Sequence, residues 1–153
     1  MKSRQPGIRG RRRPQVAVSS GCRGVRVPRK RIAELVKLVA DREGVRLAEV
    51  DVAVVPAAQI AAINRRYLQH AGPTDVLSFD LSEAPGEGVS AQLVVCGDVA
   101  ARQARLRGLP TSHELMLYVV HGLLHLMGYE DATARGAAKM HAREEELLRE
   151  FLG

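Results

Sequence analysis

The feature of this sequence that most constrains its fold is the apolar segment from Leu115 to Met127. Its apolar residues occur almost all round a helical wheel, and a helix of that kind belongs in the middle of a domain. The run is interrupted by His121, Gly122 and His125 and is shorter than the roughly 20 apolar residues of a membrane span. We therefore expect a single globular domain over residues 15–153, with no membrane segment, built around this helix.

Strand-like segments dominate the first half of the chain, and helical periodicity dominates the last third. Apolar residues recur at helical spacing after Pro28, and Gly44 marks the end of that helix. A second helix is expected after Val55, with Ile60, Ile63 and Tyr67 facing inward. Four segments are typical of strands: PQVAVSSG, LAEVDVAVV, TDVLSFDL and AQLVVC. The pattern predicts an α+β fold in which a small mixed β-sheet packs against helices, one of them the buried helix of the apolar segment.

Two histidines on the apolar helix are candidate metal ligands. His121 and His125 are one turn apart on the same helical face, so one ion could contact both. Gly128 ends the helix and lets the chain turn back, which would bring Asp131 to a third ligand position. The alternatives are a pair of buried histidines bonded to carbonyl groups and, for Asp131, the N-cap of the following helix.

The same spacing disfavours one class of zinc enzyme. Zinc peptidases place a glutamate directly after the first histidine as the general base, and this chain has Gly122 there. Two histidines and a carboxylate are also the ligands of non-haem iron oxygenases. Those centres are usually built on barrel strands, so a buried helix is an unusual place for one.

Positive charge is concentrated at the N-terminus. Eleven lysines and arginines occur up to Arg31, before the first acidic residue, and the rest of the chain has 12 basic and 17 acidic residues. Residues 1–14 have almost no apolar content, so we expect a disordered basic tail. Such a tail either binds nucleic acid through its phosphates or only increases solubility. With 3% aromatic residues, no stacking platform for bases is evident.

The cysteines and the composition of the N-terminus indicate the cellular compartment in which the protein is expected. Cys22 and Cys96 are far apart in sequence, which indicates neither a disulfide framework nor a cysteine zinc site. Cys96, within an apolar strand, is expected to be buried. No apolar stretch follows the basic N-terminus, so we expect a cytoplasmic protein.

Two segments of the chain resemble a known family. HGLLHLMGYED, residues 121–131, is similar to the motif H-G-x-L-H-L-x-G-Y-D-H of the bacterial YbeY family of metal-dependent endoribonucleases. INRRYLQHAGPTDVLSFDL, residues 63–81, resembles the family segment L-N-x-x-Y-R-x-x-x-x-P-T-D-V-L-S-F. Further matches at family spacings are Glu114, Leu115, Met140 and Glu144. The resemblance covers roughly residues 47–150.

The resemblance implies a compact α+β domain that binds one zinc ion in a cleft beside the strand around Val76 to Phe79. It implies hydrolysis of RNA phosphodiester bonds in ribosomal RNA maturation and ribosome quality control. The expected partners are ribosomal precursor RNA and the ribosome or its small subunit. His121, His125 and Asp131 would be the metal-binding and catalytic residues.

Four residues near the second motif are candidate substrate contacts. Thr74 and Asp75 would line the family cleft, although a purely structural turn after Pro73 is the alternative. Arg65 and Arg66 would hold the RNA backbone, or else are ordinary exposed helix residues.

The departures from the family motifs concern chemistry more than fold. Asp131 replaces the family's third metal histidine, with Glu130 as a rival ligand, while Leu68 and Gln92 replace an arginine and an acid. Aspartate coordinates zinc at a distance similar to that of imidazole, but its charge partly neutralises the ion. We therefore expect the metal to be retained and hydrolysis to be slower than in a three-histidine relative. The alternative is a metal-stabilised RNA- or ribosome-binding factor with weakened catalysis.

Overall fold

The computed structural model describes residues 14–68 and 74–153, so most of the predicted basic tail lies outside the described residues. The elements in chain order are β1 (Gln15–Ser20), α1 (Arg29–Glu43), β2 (Leu47–Val55), α2 (Ala57–Ile63), a π-helical turn (Asn64–Leu68), β3 (Val76–Asp80), β4 (Val89–Cys96), α3 (Gly97–Arg107), α4 (Thr111–Leu126) and α5 (Ala134–Leu152).

The four strands form one mixed sheet in the order β1-β2-β4-β3. β1 and β4 both run parallel to β2, and β3 runs antiparallel to β4. Parallel neighbours need a crossover connection, and α1 supplies it between β1 and β2. In the antiparallel pair Val76 is opposite Val95, so the residues before β3 lie beside the end of β4.

Helix α4 is the buried helix that the apolar segment predicts. It packs against α1, α3 and α5 and against strands β3 and β4. The residues of α4 that face these elements are buried between Glu114 and Leu124, and the apolar ones belong to the main hydrophobic core. The predicted α+β class, mixed sheet and central helix are therefore confirmed.

Close packing of α4 on the sheet depends on Gly122. A Cβ atom at this position would lie 2.9 Å from Ser78 Oγ and 3.0 Å from Leu93 Cδ2. The Ser78 hydroxyl donates a hydrogen bond of 3.1 Å to the Gly122 carbonyl. The position that holds a glutamate in zinc peptidases therefore has no room for a side chain here.

The predicted orientation of Tyr67 is wrong. Ile60 is fully buried, but Tyr67 is 62% exposed and only its ring edge approaches Phe79, at 6.3 Å between centroids. The cause is local: α2 ends at Ile63 and the chain continues as a π-helical turn. The wider turn moves later residues off the face defined by 3.6-residue spacing.

Other local predictions are confirmed. Gly44 ends α1 in a left-handed conformation with φ of 66°, and Cys96 is fully buried. None of the helices within residues 14–68 and 74–153 combines the length and the apolar character that crossing a membrane requires.

Candidate metal centre

Helix α4 presents its two histidines on the one side that the core leaves open. The rings of His121 and His125 are nearly perpendicular, at 86°, with centroids 4.9 Å apart. His121 is half-buried and His125 is more exposed, at 27% and 37% of their side-chain surfaces. The alternative of two histidines enclosed in the core is therefore wrong.

Asp131 reaches the histidines because the chain reverses after α4. Gly128 adopts φ of 101°, a left-handed conformation in which glycine carries no steric penalty. Asp131 Oδ2 lies 3.4 Å from His125 Nε2 and 3.7 Å from His121 Nε2. The N-cap of α5 is Thr133, whose hydroxyl accepts a hydrogen bond from the Gly136 amide. Asp131 therefore does not cap this helix.

The three side chains have the geometry of a metal site. Their candidate ligand atoms all lie within 4.8 Å of one another, and no other such trio occurs among residues 14–68 and 74–153. Zinc binds nitrogen and oxygen at about 2.0–2.2 Å, so two ligands of a tetrahedral ion lie about 3.4 Å apart. The two distances from Asp131 match that spacing closely. Glu130 is exposed and does not belong to the trio.

Glu144 fixes the orientation of the first histidine. It is a buried carboxylate on α5, and its Oε1 accepts a hydrogen bond of 2.5 Å from His121 Nδ1. With the proton on Nδ1, the lone pair of Nε2 faces Asp131 and is available to an ion. This hydrogen bond is also the main reason that the pKa of His121 is raised, and burial acts in the opposite direction.

The sequence interpretation assigned no role to Glu144. A signal was nevertheless present, because Glu144 shares the buried face of α5 with Met140, Leu147 and Leu148. A lone carboxylate at helical spacing among apolar residues needs a polar partner. The sequence does not reveal that this partner is 23 residues away on another helix.

Two cavities meet at His121. One, of about 710 Å³, contains the three candidate ligands and is called the metal cavity; its lining comprises Thr74, Asp75, Val76, Leu77, Ser78, Asp80, His121, His125, Leu126 and Asp131. The other, of about 450 Å³, is called the arginine cavity; its lining comprises Thr74, Asp75, Val99, Arg102, Gln103, Arg107, Leu117, Tyr118, His121, His141 and Glu144. They share Thr74, Asp75 and His121, so they adjoin beside the candidate metal site, and the two together are called the groove.

Thr74 and Asp75 lie at the junction of the two cavities. The Asp75 carbonyl accepts a hydrogen bond of 2.8 Å from the Cys96 amide, which ties the segment to the end of β4. Asp75 Oδ1 accepts from the Val76 amide at 2.8 Å and from the Thr74 hydroxyl at 3.4 Å. These contacts make a structural turn, and the position of the turn also places both residues against the groove.

Arg65 and Arg66 are not brought to this groove. Both are exposed, and neither lines the metal cavity or the arginine cavity. Arg66 lies instead over the ring of Tyr67, with its guanidinium carbon 5.4 Å from the ring centroid. The arginines that do line the groove, Arg102 and Arg107, come from α3 and were not among the sequence candidates.

The two remaining described histidines lie outside the trio. His141 is 68% exposed at the rim of the arginine cavity, with Nε2 3.1 Å from Glu145. His113 is partly buried at the start of α4, and its Nδ1 has no partner among the described residues. Both lie on helices, at the surface of the protein or at its boundary with the core.

Comparison with known proteins identifies the family. A relative from Nocardioides sp. named Endoribonuclease YbeY is 42% identical over 128 residues, covering 78% of this chain and 86% of its own. A relative of the same name from Acidothermus cellulolyticus is 38% identical, covering 82% and 84%. A solution structure from Thermotoga maritima aligns with a TM-score of 0.60 at 25% identity, covering 90% of this chain and 89% of its own. The family model described as Endoribonuclease YbeY matches residues 24–152, and the chain belongs to that family.

Proposed function

We propose that this protein is a metal-dependent endoribonuclease that hydrolyses phosphodiester bonds of ribosomal RNA during its maturation, with a part in ribosome quality control. The observation that carries the proposal is the trio of His121, His125 and Asp131 at the centre of an open groove. Family relatives named as endoribonucleases support the reaction class.

Zinc is the metal we propose. Two imidazole nitrogens with a carboxylate oxygen 3.4 and 3.7 Å from them suit zinc and leave a fourth position for solvent or substrate. When bound, such an ion polarises a phosphoryl oxygen and makes a water molecule a better nucleophile. Glu144 holds the ring of His121 in the tautomer that leaves Nε2 free. Thr74 and Asp75 then line the space into which the phosphodiester enters.

The partners follow from the same proposal. Ribosomal precursor RNA is the substrate, and the ribosome or its small subunit is the setting, which places the protein in the cytoplasm. The basic N-terminal segment would add affinity that does not depend on sequence, because its arginines attract phosphate groups and release counterions.

A second candidate function is a metal-stabilised RNA- or ribosome-binding factor with little catalysis. Two sequence departures favour it: Asp131 in place of a third histidine, and Leu68 in place of the family arginine. The carboxylate would keep the ion bound while making it a weaker electrophile.

The test combines metal analysis with an RNA assay. The purified protein is analysed for its metal content and is then incubated with a structured ribosomal precursor, before and after a chelator removes the ion. We expect about one zinc per chain, cleavage that stops after chelation, and recovery when zinc is restored.

A matched pair of variants on α4 makes this test specific. His125→Ala should lose both zinc and cleavage, whereas His113→Gln, on the same helix but outside the trio, should keep both. Cleavage that survives complete removal of the ion would exclude the proposed mechanism. Bound zinc and bound RNA without cleavage would support the binding factor instead.

A further inference from the structure

One face of α3 forms a wall of the arginine cavity. Val99, Arg102, Gln103 and Arg107 all line that cavity, at intervals of three, four and eight residues from Val99. Such intervals place side chains on the same side of a helix. The helix therefore directs two guanidinium groups and one amide into the half of the groove next to His121.

The two arginines differ in their partners. Arg107 Nη1 lies 3.0 Å from Oε1 of Glu114, which is fully buried on α4 and whose Oε2 has no hydrogen-bond partner among the described residues. This ion pair anchors the guanidinium of Arg107, whose other N–H groups make no hydrogen bond with any residue that the structure describes. Arg102 is exposed and makes no hydrogen bond or ion pair with any part of the chain that the structure describes. Its positive charge is therefore not balanced by a direct partner.

Charge is distributed unevenly along the groove. The metal cavity is lined by the carboxylates of Asp75, Asp80 and Asp131, which repel a phosphate backbone in the absence of an ion. No lysine or arginine lines that cavity within residues 14–68 and 74–153, whereas the arginine cavity is lined by two arginines together with the carboxylates of Asp75 and Glu144. The guanidinium groups that can attract a polyanionic strand to this part of the groove therefore come from the α3 side.

We infer that Arg102 and Arg107 bind the backbone phosphates that flank the bond to be cleaved, and so position the RNA strand across His121. This inference rests on the proposed function and extends it to a binding subsite on α3. Because contacts to backbone phosphates carry no information about the bases, the subsite sets the register of the strand without selecting its sequence.

The test measures the affinity for RNA separately from cleavage. Zinc-loaded protein is mixed with a short fluorescein-labelled single-stranded RNA, and stopped-flow anisotropy records binding before cleavage accumulates, over a series of salt concentrations. For Arg102→Gln we expect about ten-fold weaker binding, as for a lost charge-assisted hydrogen bond. We also expect the log–log salt slope to fall by about 0.7, the value for one contact with single-stranded nucleic acid.

Arg105→Gln is the matched control. It removes the same charge from an exposed position on the same helix, but Arg105 does not line the arginine cavity. We expect its affinity for RNA and its salt slope to change by less than half as much as those of Arg102→Gln.

Arg107 is tested in the double variant Glu114→Gln/Arg107→Gln, so that no buried carboxylate loses its partner. This variant should bind RNA as weakly as Arg102→Gln while keeping its zinc.

The possible outcomes separate the inference from the proposed function. If the wild-type protein cleaves RNA and Arg102→Gln binds like Arg105→Gln, the subsite is refuted and the nuclease proposal stands. If Arg102→Gln loses affinity and salt slope but the wild-type protein cleaves nothing, the subsite stands and the nuclease proposal fails. If the wild-type protein neither binds nor cleaves RNA, both are refuted.

Discussion

Asp131 is the one charged residue among the three proposed ligands, so it controls the electrostatics of the metal site. Asp131→Ala removes a ligand, and we expect zinc affinity to fall by more than the 10–100-fold that loss of an outer hydrogen-bond partner costs. Asp131→His supplies a neutral third imidazole, so the ion stays a stronger electrophile and RNA cleavage should become faster. Metal titration and single-turnover cleavage assays measure the two effects.

Glu130→Ala is the control for both variants, because Glu130 is exposed and lies outside the trio. It should keep the zinc affinity and cleavage rate of the wild-type protein. If Glu130→Ala loses zinc and Asp131→Ala retains it, the ligand has been assigned to the wrong carboxylate. If Asp131→His binds zinc but cleaves no faster, ligand charge does not limit the reaction.

Glu144 provides a second prediction at the scale of single residues. Glu144→Gln keeps the size of the side chain but removes the charged acceptor that holds His121 Nδ1. We expect zinc affinity to fall about 10–100-fold, as is usual when such a partner is lost. Glu145→Gln is the matched control on the same helix, because Glu145 is exposed and pairs with the exposed His141 instead of with a residue of the trio. Competition with a chromophoric chelator measures both, and equal affinities would contradict the proposed role.

At the scale of elements, the contact between α4 and the sheet depends on a residue without a side chain. Gly122→Ala places a methyl group within 3.0 Å of Ser78 Oγ and Leu93 Cδ2. Overpacking costs about 1–3 kcal/mol and the better helix propensity of alanine offsets about 1 kcal/mol, so we expect a net loss of up to about 2 kcal/mol in the free energy of unfolding. Urea denaturation measures it.

Gly21→Ala is the control for this substitution, since no described residue beyond its two chain neighbours comes within 4 Å of the added Cβ and its backbone is not left-handed. Its free energy of unfolding should change little. A Gly122→Ala protein as stable as the wild type would mean that the sheet yields to the methyl group. The site would then depend less on the fixed separation of α4 and β3 than the structure indicates.

Elements of this fold are predictable from sequence where the signal is local. The apolar run around His121 indicates a buried helix, and the i, i+4 histidines with Gly128 indicate the site. Tyr67 was placed wrongly because a π-helical turn breaks the period from which its orientation was read. Glu144 gained no predicted role because its partner, His121, belongs to another helix, and Arg102 gained none because the cavity that it lines is built from several elements. Only packing of α3 and α5 beside α4 brings them to the groove.

The proposed ion would also stabilise the whole molecule. It would join two residues of α4 to Asp131 in the following loop, and the hydrogen bond from Glu144 extends the connection to α5. An ion that binds only the folded chain adds about 2.7 kcal/mol at a free concentration of one hundred times its dissociation constant. For a domain of this size that corresponds to about 5–10 °C in melting temperature.

Chelation should therefore lower the melting temperature of the wild-type protein by that amount, and restored zinc should reverse the change. The apo Asp131→Ala protein supplies the reference, since it lacks a ligand and has little ion to lose. Thermal unfolding followed by circular dichroism, with and without chelator, compares the two proteins. A site that needs all three ligands cannot stabilise a chain that lacks one of them. The same shift in both proteins would therefore show that the stabilising ion does not bind at His121, His125 and Asp131.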